Sequence, residues 1–408
     1  MHVIELFAGA AGLAQGFERA GDYETIAYYD NFAPAQSTFL ANRPGAAYFK
    51  QDVSELQAHA VQETLAGRTL HGILGGPPCQ GFSLAGKKQP QNVINQLVLA
   101  YARVVTQIQP FFLMMENVPQ LLFHPLFQPL MDQIEQHYLV TYGILNAARY
   151  GTPQTRHRLI LIAYRRDLNL QPTLPVPTHG KYGQSLYSYY LPSSDDRVKL
   201  TKKSAPHIFG ADPIIKARIA RQLDQVSTEI SACLKPLVTV QNAIGDVIGV
   251  TENSNATVPY TKQATNDYQR RLRSTCGEVA NCTSRQHQPD MLHMMQSVRE
   301  GGILDADTSG SRNAVHYSQA YGRLHRRGLA RTLTTYFQNA GSGRFFHYQE
   351  SRTLTIREGA RIQGFSDDFV FHGNLADQML LVGNAVPLPL AEAIGQHIKQ
   401  QIQHILPT

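Results

Sequence analysis

Over its first 165 residues the chain alternates short β-rich apolar runs with helical patterns, and few folds accept that alternation. The apolar runs fall at 2–7, 25–29, 71–75, 111–115, 140–145 and 159–164, with a further short strand near 48–50. Between them, helical periodicity covers 13–20, 33–42, 54–65, 95–108 and 126–136. Strand–helix alternation predicts an α/β fold with a doubly wound, mostly parallel sheet. In such sheets ligands sit beyond the carboxyl ends of the strands, so the loops after each strand are where chemistry belongs.

The chain's 408 residues suffice for one large domain and a smaller one. No apolar run approaches the length of a membrane span. The apolar stretch at 3–13 has no basic leader and is broken by Glu5, so it reads as a strand entering a loop, not a signal peptide. Four cysteines are too few for a disulfide framework, which points to a reducing, cytoplasmic setting. The net charge of +6 favours a polyanionic partner. Residues 141–210 hold ten Lys or Arg against three acids, with tyrosines interleaved, a pattern suited to phosphate contacts or to a solvated basic face. After Asp167 the character changes: 168–213 is rich in Pro, Tyr and Ser, and 249–290 is polar with little periodicity. The division expected is a first domain at 1–167, a second with more loop and strand than helix at 168–348, and a return at 349–408 ending in an amphipathic helix over 388–405.

The loops at the strand ends carry candidate chemistry. The first strand runs into Phe7-Ala8-Gly9-Ala10-Ala11-Gly12, where small residues let backbone approach a ligand. Asp30 ends the second strand, where a carboxylate suits the hydroxyls of a ribose, and Asp52 follows the third. A nucleotide dehydrogenase would show the same features. The fourth loop, Gly75-Gly76-Pro77-Pro78-Cys79-Gln80-Gly81-Phe82-Ser83, separates the readings. A cysteine set after two prolines packs poorly as a small hydrophobe and is better read as a nucleophile. The next strand ends in Met115-Glu116-Asn117-Val118, and an acid there is costly unless paired or used. Gln154-Thr155-Arg156-His157-Arg158 then brings two guanidiniums to the same sheet edge.

These motifs, followed by Arg352-x-Leu354-Thr355-x-Arg357-Glu358-x-Ala360-Arg361-x-Gln363 and Gly383-Asn384-Ala385-Val386-Pro387, occur in family order. Together they resemble the ordered motif set of bacterial cytosine-C5 DNA methyltransferases over roughly 1–165 and 320–395. The resemblance implies a class I fold dependent on S-adenosylmethionine, with S-adenosylhomocysteine as product and double-stranded DNA as partner. It implies that Cys79 attacks carbon 6 of a flipped-out cytosine, that Glu116 holds N3 and the exocyclic amine, and that Arg158 binds O2 with support from Arg156. Phe7, Asp30, Asp52, Leu97 and Asn384 match cofactor contacts, and Gly9, Gly12, Asn31 and Pro78 line the same site. The 352–363 motif looks like the segment that organises a target recognition domain, and is expected to be structural despite its charges. A monomer acting on the nucleoid is expected, with a cognate restriction endonuclease as a candidate partner.

Two positions depart from the pattern. Ile94 stands where relatives often carry an arginine that contacts phosphate, leaving Lys87 or Lys88 to replace it. Asn31 stands where some place an aromatic residue against adenine, and Phe32 is the candidate substitute. Cys276, Cys282, His287 and His293 have spacings that match no common structural zinc site, so no metal is expected. Two other functions stay open. One branch of the family methylates transfer RNA, though the long 168–348 interval argues for a DNA-reading domain. A non-catalytic DNA-binding relative is the other, disfavoured by the presence of Cys79, Glu116 and Arg158 together.

Overall fold

The computed structural model describes residues 1–78, 96–180, 234–247, 256–304 and 320–405. Cys79, Lys87, Lys88 and Ile94 lie outside the described residues. The first 165 residues build β1 (His2–Leu6), α1 (Gly12–Arg19), β2 (Glu24–Asp30), α2 (Ala33–Asn42), β3 (Tyr48–Lys50), α3 (Ala58–Leu65), β4 (Gly72–Gly75), α4 (Leu97–Ile108), β5 (Phe112–Asn117), α5 (Phe127–Glu135), β6 (Tyr138–Asn146), β7 (Gln154–Thr155) and β8 (His157–Arg165). Seven of the strands form one sheet in the order β3-β2-β1-β4-β5-β8-β6. Pairing is parallel from β3 through β5, and β8 runs antiparallel to both β5 and β6. The mostly parallel, doubly wound sheet expected from the alternation is what the chain forms.

Both sheet faces are covered, which is why the central strands read as nearly continuous apolar runs. Successive residues of a strand point to opposite faces. Val3, Leu74, Met114 and Ile162 enter one core with Phe17 of α1 and Phe39 of α2. Ile4, Ile73, Leu113 and Leu161 enter the other with Val61 of α3, Tyr101 of α4 and Ile134 of α5. The helix expected from residue 54 begins at Ala58 instead. The Asp52 carboxylate accepts from the Ser54 amide at 2.8 Å and from its hydroxyl at 2.7 Å, closing a turn before the helix.

Beyond the sheet come short helices α6 (Val240–Ile244), α7 (Asp267–Leu272) and α8 (Pro289–Ser297), with the small strands β9 (Val258–Pro259), β10 (Glu278–Val279) and β11 (Ala330–Arg331). They are followed by α9 (Ile356–Gln363), α10 (Leu375–Asn384) and α11 (Leu388–Ile402). In α11 the helix returns to the sheet and lies on α1. A Cβ on Gly16 would stand 2.3 Å from that of Ala391, so the two backbones meet where side chains normally separate them. The β11 strand pairs in parallel with β7, Ala330 opposite Gln154. Leu324, Leu333, Phe345 and Leu354 belong to the same core as β1 and α1.

The charged motif at 352–363 is internal. Thr355 caps α9 with a reciprocal bond to Glu358. Arg357 and Arg361 are fully buried. Arg361 pairs with Asp246 and Asp367. Arg357 donates to the carbonyls of Ala280 and Phe369. The four residues weighed for zinc do not gather. Cys282 is buried with Val247 and Val279, Cys276 is exposed, and no metal-holding group occurs among the described residues.

Candidate active site

Two clusters of expected residues lie at the carboxyl ends of the parallel strands. The first stands where β4 and β5 end. Glu116, next to last in β5, is 8% exposed. Its Oε1 is 2.6 Å from Nε of Arg158, the second residue of β8. An acid at the end of a fully buried strand thus has its counter-charge, delivered by the neighbouring antiparallel strand. Gly76 runs directly past it, with a Cβ there only 3.6 Å from Glu116 Oε2. The adjoining Asn117 donates to the Pro77 carbonyl at 3.0 Å and so fixes the course of the loop. Pro78, half-buried, is the last described residue before Cys79.

Arg156 is not brought to Glu116. It is 2% exposed and donates to the Leu333 carbonyl at 3.0 Å, tying the approach to β8 to the segment that follows β11. Between the two arginines, burial pushes His157 down to about 4, helped by the charges of Arg158 and Arg331. Its imidazole is therefore neutral at ordinary pH, and Asn146 holds it at 3.2 Å.

The second cluster surrounds the loop after β1. Phe7, Gly9 and Ala11 all have left-handed backbone, at φ +58°, +52° and +55°. Asp30 takes the Gly9 amide on Oδ2 and the Phe32 amide on Oδ1, both at 2.8 Å. Burial raises the pKa of Asp30, and the amides it accepts from oppose that rise. Asn31 reaches Asp52 at 3.4 Å. The Ser54 hydroxyl does most to hold the Asp52 carboxyl below its ordinary value, with the Ser54 amide and Asn31 adding to it against burial. Gly12 is buried, and a Cβ on it would stand 2.7 Å from the Val386 carbonyl, so packing requires that glycine. Asn384, at the end of α10, is exposed, and Leu97 opens α4 half-buried. Phe32 packs against the core.

The model of the family described as C-5 cytosine-specific DNA methylase matches residues 1–400. This chain belongs to that family. Type II methyltransferase M1.HphI of Haemophilus parahaemolyticus is 29% identical over 97% of this chain and 86% of its own. Mouse DNA (cytosine-5)-methyltransferase 1 is 27% identical over 98% of this chain, which spans only 28% of the mouse protein. Among solved structures, one described as a DNA modification methyltransferase encoded within an E. coli prophage superposes with a TM-score of 0.71. Its identity is 22% over 99% of both chains, which shows a shared fold. The methylase is thus of the DNA (cytosine-5-)-methyltransferase class.

Four side chains that hold the methylase's loops or their flanks went unread in the sequence. Tyr48 donates to the Gly9 carbonyl and Gln15 to that of Ala10, each at 2.8 Å. The Ala14 amide donates to Glu5 at 3.0 Å. Asn117 was quoted within its motif without its part in holding Pro77. Several arginines of 270–273 and 323–331 are taken up by other groups of the protein. Arg271 pairs with Glu392, Arg273 lies over the Tyr260 ring, and Arg323 donates to four backbone carbonyls. Arg327 alone of 323–331 falls among the exposed residues. Among the described residues of the methylase, no helix is long and apolar enough to cross a membrane.

Proposed function

We propose that this methylase transfers a methyl group from S-adenosylmethionine to carbon 5 of a flipped-out cytosine in a specific duplex DNA sequence, through a covalent bond between Cys79 and carbon 6. One observation carries the reading: the Glu116–Arg158 pair stands beside the Gly76–Pro78 loop, one residue before Cys79. Carbon 5 of cytosine is a poor nucleophile, and carbon 6 is out of reach inside a duplex, so the base must leave the stack. The Cys79 thiolate forms a bond to carbon 6, and the displaced electron pair makes carbon 5 enamine-like. Glu116 holds N3 and the exocyclic amine as charge develops there. Arg158 orients Glu116 and faces O2, while Arg156 acts from a distance by anchoring the strand that carries Arg158. Once the electron pair of carbon 5 has bonded the methyl group, loss of the proton from carbon 5 returns an electron pair, breaks the bond from sulfur to carbon 6 and frees Cys79.

The residues around the first loop fit the cofactor. The space beside Gly9 is open, with nothing within 4 Å of where a Cβ would stand. Asp30, Asn31 and Asp52 gather at the ends of β2 and β3, a donor and acceptor set suited to ribose hydroxyls and an adenine amine. When bound, S-adenosylmethionine supplies a methyl group on a sulfonium centre. Phe7, Gly9, Gly12, Pro78, Leu97 and Asn384 complete the site in this reading. The 168–348 interval serves as the target recognition domain, and the enzyme acts as a monomer. The type II designation of M1.HphI supports a setting of DNA modification beside a restriction endonuclease.

Bisulfite sequencing of DNA from a host expressing the protein identifies the modified sequence. A duplex of that sequence with 5-fluorocytosine at the target should trap the protein covalently, because fluorine blocks the final elimination. Cys79→Ala should form no adduct and still bind cofactor. An adduct formed by Cys79→Ala removes Cys79 from the reaction, and methylation of transfer RNA but not of duplex DNA would reassign the substrate.

A further inference from the structure

The loop after β1 is costly to hold. Phe7 and Ala11 carry side chains, yet both have left-handed backbone. Such backbone is strained for a residue with a Cβ and persists only where surrounding contacts fix it. Among the described residues three side-chain hydrogen bonds reach this loop, and two come from its own neighbourhood. Gln15 belongs to the flanking helix and Asp30 to the adjacent strand. Tyr48 alone reaches in from the edge strand β3. Its hydroxyl donates to the Gly9 carbonyl, whose own amide donates to Asp30, so one peptide residue is held from both sides.

Tyr48 is placed for this by packing. Only 5% exposed, its ring lies parallel to that of Tyr28 at 5.9 Å and tilted against Phe39 at 5.3 Å. Its backbone carbonyl accepts from Gln36 at 2.8 Å. Burial, and then the carboxylates of Asp30 and Glu5, raise the pKa of the phenol far above its ordinary value, so it stays a donor. The strand that carries Tyr48 leads directly to Asp52. One hydroxyl therefore joins the two sides of the proposed nucleoside site.

We propose that Tyr48 is a positioning residue of the cofactor site, its hydroxyl holding the Gly9 carbonyl so that the loop after β1 stays in the shape that receives S-adenosylmethionine. This rests on the cofactor reading above. The test is isothermal titration of S-adenosylmethionine into wild type, Tyr48→Phe and Tyr28→Phe, without DNA. Tyr48→Phe keeps the ring and its stacking and loses only the donor. Tyr28→Phe removes an equally internal hydroxyl, one that donates to Glu18 at 3.0 Å, and so controls for loosening of the core.

Tyr48→Phe should raise Kd about five- to tenfold, the worth of one internal hydrogen bond. Tyr28→Phe should leave Kd unchanged. At saturating cofactor and DNA, kcat of Tyr48→Phe should stay within about twofold of wild type, because the reacting groups are untouched. Cofactor-free amide exchange in a peptide covering 7–12 should quicken in Tyr48→Phe, a readout that needs no ligand. Wild-type affinity in Tyr48→Phe, or an equal loss in Tyr28→Phe, overturns the proposal. Failure of the wild type to bind S-adenosylmethionine overturns the cofactor reading instead, and the exchange result then decides whether Tyr48 still holds the loop.

Discussion

At the scale of single residues, the site consists of charges that would be costly if left alone. Glu116 sits at the end of a strand whose residues are all buried, and Arg158 stands 2.6 Å away. Replacing it with glutamine keeps the shape and removes the charge proposed to meet the developing adduct. Turnover of Glu116→Gln should fall on the order of several hundredfold, about 3–4 kcal/mol, while duplex binding survives. Single-turnover methyl transfer and a gel-shift titration check both halves, and near-normal turnover would remove Glu116 from the mechanism. Glu116 and Arg158 were legible in the sequence because a charge at the end of an apolar run is an anomaly that asks for a use. Tyr48 and Gln15 were not legible. Each donates to a backbone carbonyl, and no residue type at the accepting position announces such a bond.

At the scale of elements, α9 shows how a charged sequence becomes an internal beam. Burial alone would raise the Glu358 carboxyl. The charges of Arg352 and His347, with bonds from Arg352 and the Thr355 amide, outweigh burial and hold it at about 2. A carboxyl depressed below its ordinary 4.5 gives its full stabilisation above that pH. The contribution is lost as pH falls from 4.5 toward 2. Glu358→Gln should therefore lower stability at neutral pH by about 3 kcal/mol, since buried Arg352 loses its main partner and keeps only the half-buried Glu350. It should also flatten the acid limb of a denaturation series between pH 4.5 and 2. An unchanged acid limb would place the acid sensitivity elsewhere. The elements themselves were largely legible, because covered sheets leave apolar strands and one-sided helices. Bounds shifted where a side chain intervened, as at Asp52, or where pairing extended a strand. Nine residues of β6 face nine of β8, longer than either apolar run. The pairing of β11 with β7 joins segments far apart in sequence and had no local signal.

At the scale of the molecule, the interval proposed to read DNA is not detachable at its far end. Ala330 pairs with Gln154, Arg156 holds the Leu333 carbonyl, and Gly383 stands against Thr334. A chimera that exchanges 168–319 for the equivalent part of a relative with another target should fold and methylate the relative's sequence. One that exchanges 168–348 should melt lower, because it replaces those contacts. Bisulfite sequencing and thermal melts check the pair, and a folded 168–319 chimera that keeps the original target would place recognition elsewhere. The contact between α1 and α11 also imposes an order on synthesis. The helix α1 is made well before α11, the helix it packs against. At roughly 5–20 residues per second, Phe17 and its neighbours wait on the order of a minute for their partner on the ribosome. The strained loop they support cannot settle sooner, so the proposed cofactor site takes shape only once α11 has been made.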